Sequence, residues 1–267
     1  MADRPALMNT PMVQAVLREI EEPGSGKTQT RRELVPQPRK PAETLSQCHW
    51  RIATGYRTTK ADPAYVEAVR LLHYDAVEIV AAGHRVLCRP GDRLWVRETW
   101  AHYHTVNHVR RSDGRAFDEV SDGLVGYRAD GHASVEDFRR HVSLMSGCDL
   151  EAVIIKGDRW RPSMHMPRWA SRITLLVADV RVERLHSIST ADIYAEGAIA
   201  DEWLGWREDV RNIGMPAGSS IENERDVFER LWRSVSRPGS WESNPWVAVH
   251  TFKPVLGNID KLEPTNG

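Results

Sequence analysis

The sequence predicts an α+β fold, a small and strongly bent sheet or barrel with helices at its periphery. Three observations carry this. Residues Ile173 to Val182 (ITLLVADVRV) form a long apolar, β-branched run, the strongest strand signal in the chain. Residues 12–21 and 223–235 repeat apolar side chains at helical spacing. Strands and helices also follow one another without the βαβ rhythm that builds a parallel sheet.

Taken in order, Met12, Val13, Val16, Leu17 and Ile20 mark the first helix, with Asn9 or Thr10 as cap and Pro11 in the first turn. Gly24 and Gly26 end it, and Thr28 to Val35 reads as a basic extended segment. The stretch GSGKTQTRR (24–32) looks like a phosphate-binding loop. That loop needs a glycine where Glu21 stands, a strand before it and a helix after it. Here a carboxylate, a preceding helix and a following strand exclude phosphate cradling.

Residues 36–63, with Pro36, Pro38, Pro41 and Pro63, read as a loop or extended insertion. From 63 to 82 the spacing of Tyr65, Val66, Val69, Leu72, Ala76, Ile79 and Val80 predicts a helix. Arg89-Pro90-Gly91-Asp92 is a turn, and RLWVRETWA (93–101) a strand with Leu94, Val96, Glu98 and Trp100 on one side. Residues 102–158 are rich in His, Asp, Gly and Arg and read as an insertion with little core of its own. Past the long strand, Ser189 or Thr190 caps a short helix that carries Asp192 in its first turn and runs to Glu196, stopped by Gly197. Val227, Phe228, Leu231, Trp232 and Val235 mark the last helix, and Trp246 to Phe252 the last strand. The chain thus reads as one domain over residues 1–256, with insertions at about 36–89 and 102–158 and a frayed tail at 257–267.

A chain of 267 residues buries a core without staples. Its 36 Lys and Arg nearly cancel 37 Asp and Glu, so nucleic acid would have to be met by a local patch, and a nucleoside-sized ligand is easier to accommodate than a long duplex. No apolar run approaches the ~20 residues of a membrane span, and the polar start lacks a signal peptide's core, so a cytoplasmic protein with no membrane partner is expected. Cys48, Cys88 and Cys148 form no C-x-x-C pair and suit reduced thiols. His102, His104 and His108 lack a carboxylate or cysteine at ligand spacing, so a solvated polar loop is expected there rather than a metal site. Neither metal nor cofactor is implied.

Several stretches together resemble one family. They are the first helix with GxxKTQTRR (12–32), PGDRLWVRETW (90–100), RWRPSMHMPRWASRITLLVADVRVERL (159–185), IxxxDxxAEG (188–197) and NPWVAVHTFK (244–253). In this order they resemble the ASCH group of PUA-like β-barrels, especially its long phage and prophage versions, over about half the chain. The resemblance implies a PUA-like barrel and RNA-related binding; one small bacterial branch hydrolyses N(4)-acetylcytidine. That branch's Lys-Thr-Glu trio falls on Lys27, Thr30 and Glu196, and the arginine closing K-T-x-T-x-R falls on Arg32 as a substrate clamp.

The chemistry can be weighed independently. A threonine hydroxyl needs a base, and a lysine serves only if burial or nearby cations keep it neutral. Lys27 and Thr30 are three apart and would face opposite sides of an ideal strand, so a bulge or turn is required between them. Glu196 would orient Lys27, protonate the leaving amine or activate water. Ordinary roles compete: a solvated lysine, a strand threonine, an exposed helix glutamate. Ten tryptophans against four phenylalanines offer rings that stack on a base at ~1–3 kcal/mol each or fill a core. Trp100 and Trp246 are the pocket candidates. Arg97 and Glu98 would read a base edge or form an ion pair, and His165 would face the pocket or lie in a loop. The leading expectation is an amidohydrolase acting on an N(4)-acylcytidine; the alternatives are a non-catalytic module for a modified cytidine nucleoside or single-stranded RNA, and a ribonuclease using the same cleft.

Overall fold

A computed structural model describes residues 2–39, 48–52, 64–71, 77–110, 116–120, 124–146, 152–155, 159–198 and 224–262. They form a mixed α+β structure. Its main sheet has the order β1 (Asp3–Leu7), β6 (Arg93–Arg97), β11 (Ile173–Arg184), β12 (Trp246–Leu256) and β2 (Gln29–Glu33). β1 runs parallel to β6, and the other pairings are antiparallel. The β11–β12 ladder shifts register between Val177 and Asp179, an irregularity of the kind that bends a sheet. β1 and β2 share no ladder among the described residues, so the sheet is open there. A side chain spans the gap instead: Arg32 Nη2 donates to the Leu7 carbonyl at 3.1 Å.

Helix α1 (Thr10–Glu21) joins these two edge strands. The Asn9 side chain accepts from the Met12 N–H at 3.1 Å, and Pro11 fits the first turn, where its missing donor costs nothing. Val13 and Val16 of α1 enter the main core with Leu94, Leu175, Val247 and Val249 of the sheet. Val227, Phe228, Leu231 and Trp232 of a late helix, Glu224–Val235, join the same core. Burial of such side chains, at ~1.5–3 kcal/mol each, holds the helices on the sheet.

The segment expected to be a helix at 63–82 is instead two strands, β4 (Ala64–Leu71) and β5 (Val77–Val86), paired antiparallel, with β3 (His49–Ile52) added to β4. Tyr65, Val66 and Val69 of β4 and Val77, Ile79 and Val80 of β5 are β-branched or aromatic, and their preference for a pleated surface outweighs the helical spacing. Val66 and Ala68 pack with Leu34, Trp246 and Ala248, so a second small core stands where loop and helix were expected.

Residues 102–158 also carry a core of their own. β7 (Trp100–Arg110) pairs with β8 (Ala116–Val120), β9 (Leu124–Tyr127) and β10 (Val153–Ile155). Helix α2 (Val135–Ser146) covers that sheet, seating Phe138 and Val142 on Ala101, Val153 and Ile155. The three histidines at 102, 104 and 108 therefore lie on a strand rather than in a loop. His102 and His104 are half-buried with ring centroids 5.0 Å apart, and no metal-binding group occurs among the described residues. The strand expected over 93–101 is broken: β6 ends at Arg97 and β7 starts at Trp100.

α3 (Thr190–Ala195) opens on a capping box between Ser189 and Asp192; the later helices are α4 (Glu224–Val235) and α5 (Ser240–Ser243). Residues 257–262 are held rather than frayed, with Ile259 fully buried and Asp260 paired to Arg168 at 2.6 Å. Cys148 and residues 263–267 lie outside the described residues. No described helix is long and apolar enough to cross a membrane.

Candidate functional site

The chain turns back on α1 immediately before β2. The Glu19 carboxylate accepts from the N–H groups of Gly24 and Gly26, at 3.0 and 2.9 Å, and folds the glycine segment over the helix's last turns. A Cβ on Gly26 would lie 2.2 Å from the Ala15 carbonyl oxygen, so only glycine allows this approach. The Lys27 N–H then donates to Ala15 at 2.9 Å, and the Thr28 N–H donates to Ala195 at the end of α3 at 2.8 Å. From the other side Gly197, at φ +78°, closes on the same spot; its Cβ would stand 2.7 Å from Ala15 Cβ and 3.1 Å from Lys27 Cβ. Two glycines thus clamp Lys27 between two helices.

Lys27 is fully buried, and its Nζ donates to Glu196 Oε2 at 2.7 Å and to the Glu196 carbonyl at 2.8 Å. The other carboxylate oxygen of Glu196 accepts from Arg31 Nη1 at 3.0 Å. Arg31, itself fully buried, reaches Glu183 at 2.7 Å and Asp192 at 3.2 Å, and Arg181 pairs with the same two carboxylates. The burial cost of these ions is offset only because each meets an opposite charge. Burial pushes the Lys27 ammonium pKa down, Glu196 pushes it back up, and Arg32 and Arg31 add to the lowering. Burial tends to raise Asp192, but the Ser189 hydroxyl and the two arginines bring it to about 2.

Lys27 precedes β2 rather than lying on it, so strand alternation does not govern its relation to Thr30. Thr30 is buried on β2 opposite His250 of β12, and directly opposed residues project to one face. No hydrogen bond joins the Thr30 hydroxyl to Lys27 or Glu196 among the described residues. His250 is fully buried, with Nδ1 3.4 Å from the Thr30 carbonyl and Nε2 without a partner among the described residues. Burial lowers its pKa to about 4, so the ring is neutral at pH 7.

A cleft of about 1160 Å³ opens beside this cluster, where the main sheet is unpaired. β1, the start of α1, Arg32, Arg97, Arg128 and Ser163 line it. Lys27, Thr30 and Glu196 do not, whereas Arg32 does and also acts electrostatically on Lys27 and Glu196. No protein-family model, curated protein or solved structure matches the chain. The site therefore rests on its own geometry.

The remaining candidates divide. Arg97 lines the cleft, stacked 5.3 Å from the Trp95 ring and donating to the Met164 carbonyl. Glu98 is buried and forked onto Arg172 at 3.0 and 3.1 Å; burial raises its pKa and Arg172 opposes the rise. Trp100 packs with Met166 and Ala170, and Trp246 with Leu34, Val66 and Ala248, so both rings fill cores rather than the cleft. His165 is exposed in a short 3-10 turn away from the cleft lining. Sequence reasoning named Arg31 only with Arg32, as a basic pair that could bend the chain and lower the lysine pKa, and it missed Glu183 and His250. A lone histidine inside the apolar WVAVHTF run was the available signal for the last.

Proposed function

We propose that the protein is an amidohydrolase that removes an acyl group from the exocyclic amine of N(4)-acylcytidine-type nucleosides, built on a PUA-like barrel of the ASCH kind. In this reading the five-stranded sheet is the barrel wall and the gap between β1 and β2 its mouth. The observation that carries it is the contact of Lys27 with Glu196, 2.7 Å across 169 residues of sequence. Those are the two positions that the resemblance to the hydrolase branch singles out.

The geometry supports the chemistry in three ways. Burial drives Lys27 toward the neutral amine that can take a proton from Thr30 or from water. The short hydrogen bond to Glu196 gives that proton a path toward the leaving amine. Arg32 stands at the cleft wall with its charge felt by both, suited to hold the substrate. Catalysis then requires the Lys27–Glu196 pair to open toward the cleft when substrate enters.

A second reading, a non-catalytic module that holds a modified nucleotide in the same cleft, is favoured by one observation: Lys27 and Glu196 are sealed and mutually satisfied, with Arg31 completing the set. Incubation with N(4)-acetylcytidine, following cytidine release by chromatography, separates the two. Release that is lost in Thr30→Val and Glu196→Gln, with circular dichroism unchanged, supports the hydrolase. Cytidine binding without any release establishes the binding module.

A further inference from the structure

Among the described residues the cleft lining holds three arginines, Arg32, Arg97 and Arg128, together with His132, and no carboxylate. The chain as a whole is nearly balanced, 37 acidic residues to 36 basic ones, so this lining is more basic than the chain's average. Two nearby acids are engaged elsewhere, Asp130 with Arg172 at 2.7 Å and Glu196 with Lys27 and Arg31, whereas Asp137 stands 3.9 Å from His132 of the lining itself. No ion pair neutralises Arg32, Arg97 or Arg128 among the described residues.

The arginines are also preorganised. Arg32 is anchored through one nitrogen to the Leu7 carbonyl and Arg97 through one to the Met164 carbonyl. Backbone carbonyls fix the guanidinium groups without cancelling their charge. Arg97 Nε is buried with no hydrogen-bond partner among the described residues. Arg128 is exposed at the rim, at the start of a 3-10 turn tied to Thr99 by its own N–H at 3.0 Å. The first turn of α1 forms one wall and adds positive potential of the same sign. Leu7, Met8 and Leu87 supply apolar surface beside them. Planar guanidinium forks around a partly apolar concavity match a phosphate ester attached to an organic body.

We infer that this cleft recognises a phosphate ester, so that the ligand is a nucleotide rather than a free nucleoside. The inference deepens the nucleoside reading above and rests on it only for the identity of the base.

Calorimetric titration with cytidine, cytidine 5′-monophosphate and a cytidine trinucleotide tests it, using wild type, Arg128→Ala and the Arg97→Ala/Arg128→Ala double variant. The monophosphate should bind about tenfold or more tighter than cytidine, as charge-assisted bonds to two or three arginines require. That advantage should fall about threefold in Arg128→Ala, fall further in the double variant, and shrink as ionic strength rises from about 0.05 to 0.5 M. Arg128 is exposed, so its variant tests the idea even if the double variant folds poorly. Equal affinity for cytidine and its monophosphate, an advantage untouched by Arg128→Ala, or no binding of any of the three overturns the inference. A trinucleotide held tighter than the monophosphate through the same arginines assigns the phosphates to a strand; the reverse order assigns them to a free nucleotide. The hydrolase reading fails separately: no deacylation with the phosphate advantage intact sinks that reading alone, and deacylation without the advantage sinks only this one.

Discussion

Replacing Glu196 by Gln keeps the shape of the side chain and removes the charge that Lys27 faces. Lys27 is 0% exposed, and both hydrogen bonds of its Nζ go to Glu196, at 2.7 Å to the carboxylate and 2.8 Å to the carbonyl. The variant would leave a buried ammonium with carbonyl oxygens alone and strip Arg31 of one partner. Breaking a buried pair from one side costs ~3–5 kcal/mol. Lys27→Met with Glu196→Gln should recover a large part of that, because no unpaired ammonium remains. The pH dependence carries a sign of its own. An unpaired buried lysine has a folded pKa below its unfolded value, so between the two the unfolded chain binds more protons and the variant gains stability as pH rises. Urea unfolding at pH 7 and pH 9.5, read as midpoint with constant slope, measures all of this. A Glu196→Gln penalty below about 1 kcal/mol, or a double variant no better than the single, would refute the buried-pair argument.

Two further outcomes follow from the geometry. Gly26→Ala places a Cβ 2.2 Å from the Ala15 carbonyl oxygen, against rigid helix backbone, and should cost ~3 kcal/mol or more in urea unfolding; a loss under about 1 kcal/mol would show that the loop does not press on α1. His250, lowered by burial from 6.5 to about 4, should make the protein lose stability as pH falls through that window, because the unfolded ring takes up a proton first; the full shift is on the order of 3 kcal/mol, and His250→Asn should flatten the slope between pH 6.5 and 4, whereas an unchanged slope would place the titration elsewhere.

The parts of the fold that were legible from sequence are those where one local rule dominates. α1 shows its cap, its proline and its apolar stripe together; β11 is too long and too β-branched to be anything else; Ser189, Asp192 and Gly197 spell out a helix start and stop. Residues 63–82 misled because valines and isoleucines fall at helical intervals by accident of a hairpin's two alternating strands, and periodicity alone does not separate these. In residues 102–158 the apolar content is spread thinly over β7, β9, β10 and α2, and only tertiary contact gathers Ala101, Phe138, Val153 and Ile155 into a core. Lys27 and Glu196 were legible as a pair through resemblance, whereas their complete burial was not. Solvent exclusion there depends on two glycines meeting one alanine of α1, a coincidence that no spacing rule describes.

Arg31 and Arg32 show how far a single alternation can carry function. They are neighbours of identical type, and the sequence offers no reason to separate them beyond the period of a strand. That period sends Arg31, opposite Val249, toward Phe228 and the acids of the main core, where Glu196, Glu183 and Asp192 consume its charge. Arg32, opposite Ala248, lines the cleft at the unpaired edge of the sheet, and among the described residues its hydrogen bonds go to backbone carbonyls. One arginine therefore holds Glu196 in place, and the next keeps its charge for whatever enters. A sealed ion pair and an open basic cleft are joined through two consecutive residues of β2. The two are linked electrostatically: burial is the main cause of the lowered Lys27 pKa, and the charge of Arg32 at the cleft wall adds to it.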